Sequence, residues 1–274
     1  MQQLMNVLTV GAVYALAAVG YALVFSVLNM VNFAHTDVLT FGAYVGLYVS
    51  RAFGFGLFGQ LAAGALAGAA LGFLCERLCF RRAVGDSLRL MTAAIGVSVV
   101  LEYGMMLCFS AQPQAYGAQE RTWSLWGMRV GENRLVAVCL AAAVFAGIAV
   151  FLRTRRGRQV RAFSQDALGA ASVGVSKDAV LDLTFALSGA AAALAGVLYG
   201  RLYVVTPLMG ATIGMKAFVC TVAGGKGSLW GAVLGAYLLS AAETAVCVFL
   251  GSGAKDAVAY VVLIVALLLT ESRR

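Results

Sequence analysis

Between Asn29 and Asp37 the chain reads NMVNFAHTD, which gathers Asn29, Asn32, Thr36, Asp37 and the only histidine, His35, into nine residues. A His35–Asp37 pair has the residue types for acid–base work. Such work needs a nucleophile within reach of the base. Ser188, before Gly189, has no evident base partner in the sequence. A single histidine also precludes a His-rich metal site. Of the six cysteines, Cys75 and Cys79 share a helix face, but no histidine or second cysteine pair completes a zinc site. They read as small apolar filler, and no metal or cofactor is expected.

The stretch VAGGKGSLWG, from Val222 to Gly231, looks like a phosphate loop at first sight. A Walker A loop needs serine or threonine directly after its lysine and an earlier glycine at fixed spacing. Here Lys226 is followed by Gly227, and Cys220 stands at the earlier position. The pattern fails, so nucleotide hydrolysis is not expected of this chain. The glycines read instead as a tight reversal between two helices.

The elements that position these residues are strongly apolar. Of 274 residues 62% are hydrophobic and only 12% charged, against about 25% charged in soluble domains. A membrane-crossing helix needs about 20 apolar residues. Spans are expected at Leu4–Leu28, Val38–Phe53, Leu57–Cys75, Leu90–Ser110, Leu135–Leu152, Leu181–Gly200, Leu229–Leu250 and Ala257–Thr270. Ile213–Ala223 is too short to cross unaided and reads as a half-helix. The expected fold is therefore an all-α, polytopic membrane bundle of about eight or nine transmembrane segments. It forms one domain over residues 1–274. The first apolar stretch is too long for a signal-peptide core and reads as a retained helix.

The net charge of +8 does not imply nucleic acid as a partner. A basic excess in a membrane protein reflects cytoplasmic loops. Arg77, Arg81, Arg82 and Arg89 cluster after the third span; Arg153, Arg155, Arg156, Arg158, Arg161 and Lys177 cluster after the fifth. Two crossings separate them, so both lie on one side, the cytoplasmic one. The loop Ala111–Arg134, with Trp123 and Trp126, then lies outside, its tryptophans at the interface. Small residues recur every third or fourth position in GQLAAGALAGAALG (Gly59–Gly72), a sign of close helix packing. A faint echo relates Phe41–Ser50 to Gly231–Ser240.

Ionisable groups at membrane depth usually face a bundle interior or a solvated path. Asn29, Asn32, His35, Asp37, Lys216 and Glu243 are therefore the candidates for a translocation path or gate. The competing reading of the first four is an interfacial turn, with Asn32 or Thr36 capping the next helix. Lys216 and Glu243, lone charges in apolar runs, either line the path or snorkel to the interface. The segment of about 153–180 is basic at first and then amphipathic. Binding of anionic membrane lipid explains its arginines, but the amphipathic run through Val175 calls for a partner surface.

Three ordered stretches carry a family resemblance: GAVYALAAVGYALVFSVLNMVNFAHTD (Gly11–Asp37), GRQVRAFSQDALGAASVGV (Gly157–Val175) and GMKAFVCTVAGGKGSLWGAVLGAYLLSAAE (Gly214–Glu243). The sequence resembles the inner-membrane permeases of bacterial branched-chain amino acid ABC transporters, of the H type in the Liv family. The resemblance implies a non-enzymatic subunit of the bacterial inner membrane. It implies as partners a second permease subunit, two ATP-binding subunits and a periplasmic solute-binding protein. It also implies that the 153–180 segment is the coupling loop docking on an ATPase, with Gly157, Arg158, Arg161, Ala162, Gln165 and Gly174 in it. Thr36-Asp37 departs from the family's usual Gly-Glu, which leaves branched-chain amino acids, other amino acids, urea and amides open as substrates. The runner-up is an ion- or proton-coupled carrier using Asp37, Lys216 and Glu243; a third class is a membrane enzyme using His35.

Overall fold

The computed structural model describes residues 2–117, 122–125, 128–225, 227–249, 251, 253 and 255–271. The helices are α1 (Gln2–Leu28), α2 (Ala34–Phe53), α3 (Leu57–Cys75), α4 (Ser87–Phe109), α5 (Glu132–Phe151), α6 (Arg155–Gln165), α7 (Ala167–Ser172), α8 (Lys177–Leu202), α9 (Met209–Ala223), α10 (Leu229–Phe249) and α11 (Lys255–Glu271). One π-helical turn, Glu76–Phe80, extends α3. The expected all-helical fold is observed, with one small addition. Strands β1 (Thr122–Leu125) and β2 (Met128–Gly131) form a small antiparallel hairpin in the loop before α5. Trp123 lies in β1, while Trp126 lies outside the described residues.

Six helices among the described residues are long and apolar enough to cross a membrane: α1, α3 with its π turn, α4, α5, α8 and α10. Two expected spans fall outside that set. α2 has 20 residues but carries Asp37 in its first turn and Arg51 in its last. α11 has 17 residues, and α9, the expected half-helix, has 15.

α1 is apolar all round, and every residue from Thr9 to Phe25 is buried, as expected for a helix at the centre of a bundle. α3 buries one stripe, Gln60, Leu61, Gly64, Gly68, Gly72 and Cys75, while Phe58 and Leu66 on other faces are exposed. That stripe lies on α8. A Cβ on Gly68 would come within 2.4 Å of the Gly189 carbonyl oxygen, and one on Gly189 within 2.2 Å of the Gly68 oxygen. Only glycine permits this backbone approach.

The packing is two-fold in pattern. α1 lies against α10 as α8 lies against α3; α9 lies against α1 as α2 lies against α8; α2 crosses α9, and α1 crosses α8. The pattern maps α1–α4 onto α8–α11. The sequence echo therefore joined the wrong helices: it aligned α2 with α10, whereas α2 corresponds to α9 and α3 to α10. The break equivalent to Asn29–Phe33 is the 203–208 connection before α9.

Candidate functional site

The polar stretch ends α1 and begins α2. Asn29 is exposed, with a positive φ of 53°, and its amide donates to Phe25 O at 2.8 Å. It terminates α1 in the left-handed conformation that asparagine tolerates. Neither Asn32 nor Thr36 caps α2. The capping position is Phe33, without a side-chain bond, and the Thr36 hydroxyl donates back to the Phe33 carbonyl at 2.9 Å. Asn32, His35 and Asp37 are all buried, so the stretch is no plain surface turn.

His35 is held from two sides. Its Nε2 lies 3.3 Å from the Ala17 carbonyl and its Nδ1 2.9 Å from Ser188 Oγ. A carbonyl only accepts, so Nε2 carries the proton and Nδ1 accepts from the Ser188 hydroxyl. The ring stands edge-on to Tyr21, and Gly20 leaves it room: a Cβ there would meet His35 Cε1 at 2.8 Å. Ser188 does have a basic partner, contrary to expectation, because α8 brings it across from 153 residues away. The cavity beside the pair is only about 10 Å³. That is room for one water and no substrate, so the pair joins α1, α2 and α8 rather than performing hydrolysis. Asp37 accepts a hydrogen bond from Ser98 Oγ and thereby ties α2 to α4.

Lys216 and Glu243 are not lone charges. The α9–α10 reversal at 224–228, with positive φ at Gly225 and Gly227, folds one helix back on the other. Lys226 within it lies outside the described residues. Lys216 Nζ is 2.8 Å from Glu243 Oε1, with both residues buried. Tyr14 Oη, on α1, donates to Glu243 Oε2 at 2.9 Å and accepts from Lys216 Nζ at 3.3 Å. Lys255, at the start of α11, approaches Glu243 Oε2 at 3.7 Å. The cluster joins α1, α9, α10 and α11 and offsets the cost of burying each charge.

Two further polar clusters escaped sequence reasoning. Arg81, after the π turn, pairs with Glu76 at 2.8 Å, with Asp178 at 3.6 Å and with Asp182. The Glu76 hydrogen bond, with the charges of Asp182 and Asp178, raises the Arg81 pKa above its ordinary value. Near the other end of the bundle Arg201 donates to Asn133 Oδ1 at 2.8 Å and to Gln60 Oε1 at 2.6 Å. Their sequence separations, 101 residues for Arg81–Asp182 and 141 for Arg201–Gln60, leave no local pattern to read.

The expected coupling segment is two short helices. Thr154 caps α6 by accepting from the Gly157 amide at 3.3 Å. Asp166 breaks the run and caps α7, accepting from the amides of Leu168 and Gly169, each at 3.0 Å. Gly157 is buried where α6 folds back on α5, and a Cβ there would meet the Phe151 oxygen at 2.1 Å. Val160, Phe163 and Ala170 turn inward with Val180. Arg158, Arg161, Ala162, Gln165 and Gly174 are exposed, and so are Leu168, at 83%, and Val173, at 79%.

The sequence matches the family described as branched-chain amino acid transport system / permease component over residues 3–267. The chain belongs to this permease family. It is 35% identical to the high-affinity branched-chain amino acid transport system permease protein LivH of Salmonella typhimurium, over 98% of this chain and 92% of that one. Against BraD of Pseudomonas aeruginosa, another such permease protein, it is 33% identical over 98% of this chain and 93% of that one. In fold the permease is similar to a chain of PsaBC from Streptococcus pneumoniae, with a TM-score of 0.54 at 15% identity, covering 97% of this chain and 91% of that one. A chain of an inward-facing, metal-chelate type ABC transporter gives the same TM-score at 18% identity, over 97% and 83% of the two chains. The permease is thus a multi-pass membrane transport subunit rather than an enzyme, and its buried Ser188–His35 pair is a packing feature of that bundle.

Proposed function

We propose that this permease forms half of the membrane pore of an ABC importer for branched-chain or chemically related amino acids, in the bacterial inner membrane. A second permease subunit completes the pore, two ATP-binding subunits drive it, and a periplasmic solute-binding protein delivers the substrate. The observation that carries the reading is the α6–α7 element in a chain of this family. It is a capped, inward-anchored helix pair that leaves Ala162 exposed beside Arg158 and Arg161 on α6, Leu168 exposed on α7, and Val173 exposed just after it. Exposed apolar side chains rimmed by charge suit a protein partner. The 153–180 segment is then the coupling loop.

In this reading α2, α9 and α11 also sit at membrane depth, giving the eight or nine segments that the hydropathy suggests. Basic loops lie on the cytoplasmic side. α1 then runs inward and α8 outward, so the two matched halves are inverted copies, a common basis of alternating access. Asn32, His35, Asp37, Lys216 and Glu243 form the polar core about which the halves move, and Asn29 sets the bend before α2. An ion- or proton-coupled carrier is not favoured, since Lys216 and Glu243 neutralise one another. The test is leucine uptake in cells that lack their own importer and express this chain with the proposed second permease, ATP-binding and solute-binding subunits. Uptake that requires a hydrolysis-competent ATPase supports the proposal; uptake without it returns the carrier.

A further inference from the structure

Two neighbouring cavities along α1, α5 and α10 share a wall. One, of about 250 Å³, is walled by Val19, Ala142, Val144, Val233 and Tyr237 and is almost wholly apolar. The other, of about 420 Å³, opens beside α6 and carries Ser26, Arg153, Arg161, Ser164 and Gln165. Phe145 and Trp230 line both, their rings edge to face with centroids 4.6 Å apart. An apolar slot thus adjoins a basic mouth across the Phe145–Trp230 pair, and together they are taken as one groove. Among the described lining residues none is acidic. Arg153 and Arg161 have no carboxylate partner among the described residues, unlike Arg81 and Arg89, which do.

That chemistry disfavours an amino-acid zwitterion, whose ammonium group would find no carboxylate among the described lining residues and would face two arginines. It fits a long apolar chain ending in an anion. Basic pockets between membrane helices on the cytoplasmic side suit anionic headgroups. We propose that this groove binds an anionic phospholipid of the inner leaflet, with an acyl chain in the slot and the phosphate between Arg153 and Arg161. The site goes beyond the transport reading but rests on its membrane orientation, which places the α5–α6 corner at the cytoplasmic surface. Occupancy would brace α6 against α1, α5 and α10, so that headgroup charge bears on the seating of the coupling loop.

Trp230 is a built-in reporter. In a Trp123→Phe, Trp126→Phe background it is the only tryptophan. The full chain is reconstituted in phosphatidylcholine bilayers containing a minor fraction of brominated lipid. Brominated phosphatidylglycerol should quench Trp230 with an apparent affinity about thirtyfold above that of brominated phosphatidylcholine, because each of the two arginines near an anionic headgroup contributes roughly fivefold. Arg153→Gln with Arg161→Gln, both exposed positions, should abolish the preference, and Ala142→Phe should weaken quenching by both lipids. Equal quenching by the two lipids, or an unchanged preference in the arginine variant, overturns the proposal. Relief of quenching by soluble glycerol phosphate assigns a free-phosphate site and overturns it as well. Cysteine labelling of the α5–α6 corner from outside the cell reads a failed orientation separately.

Discussion

Glu243→Leu should destabilise the bundle more than Lys216→Met, although the two residues form one ion pair. Removing Glu243 leaves Lys216 buried without its anion, and Tyr14 loses its acceptor. Breaking a buried pair in this way costs about 3–5 kcal/mol. In a chain near this size 1 kcal/mol moves Tm by about 2–4 °C, so the loss is roughly 6–20 °C. Removing Lys216 is milder, because Glu243 keeps the Tyr14 hydroxyl at 2.9 Å and Lys255 at 3.7 Å. Its cost should be roughly half as large. The double variant Lys216→Met/Glu243→Leu buries no unpaired charge at these positions and should recover to within about 1 kcal/mol of the parent. The assay is thermal unfolding of detergent-purified protein, followed by the loss of the monodisperse elution peak. Two results refute the reasoning. One is equal damage from the two single variants, which denies Lys255 its role. The other is a double variant as unstable as the sum of the singles, which denies the pair.

Other tests reach the remaining parts. Cysteines placed at Arg81 and Arg156 should be protected from an impermeant thiol reagent in intact cells, while one at Gln112 is labelled; the reverse pattern inverts the topology. His35→Ala and Asp37→Asn should each reduce uptake while leaving assembled protein in the membrane, because the first removes the α2–α8 hydrogen bond and the second replaces the charge-assisted bond from Ser98 on α4 by a weaker neutral one. Full uptake in both variants would mean that the polar stretch only turns the chain.

Elements that rest on composition were legible in the sequence. Leu57–Cys75 was delimited as a span and is α3, and the glycine stripe within it is the surface that meets α8. The Gly-rich reversal stands between α9 and α10. Polar partners were not legible. Lys216 and Glu243 were both singled out, yet their pairing depends on how α9 and α10 align after the turn. Tyr14 joined them unannounced, since a tyrosine in an all-apolar helix gives no sign of which face it occupies. Ser188 and His35 meet through the α2–α8 crossing, which no local periodicity encodes. The echo failed for a related reason: both segments follow a polar break, but the matching of the halves lies in which helices touch.

Ala162→Glu is the direct test of the proposed docking of the 153–180 segment on an ATPase. Ala162 is exposed on α6, beyond the inward cluster of Val160 and Phe163, so the substitution leaves the bundle intact. A packed interface tolerates a small side chain there and rejects a bulky charged one; Arg161→Glu should weaken the same contact by reversing its charge. The measurement is ATP hydrolysis by the purified complex with and without the loaded binding protein, together with the amount of ATPase that co-purifies. Ala162→Glu should abolish substrate-stimulated hydrolysis while the permease still inserts. Normal ATPase retention and normal stimulation in both variants would contradict it.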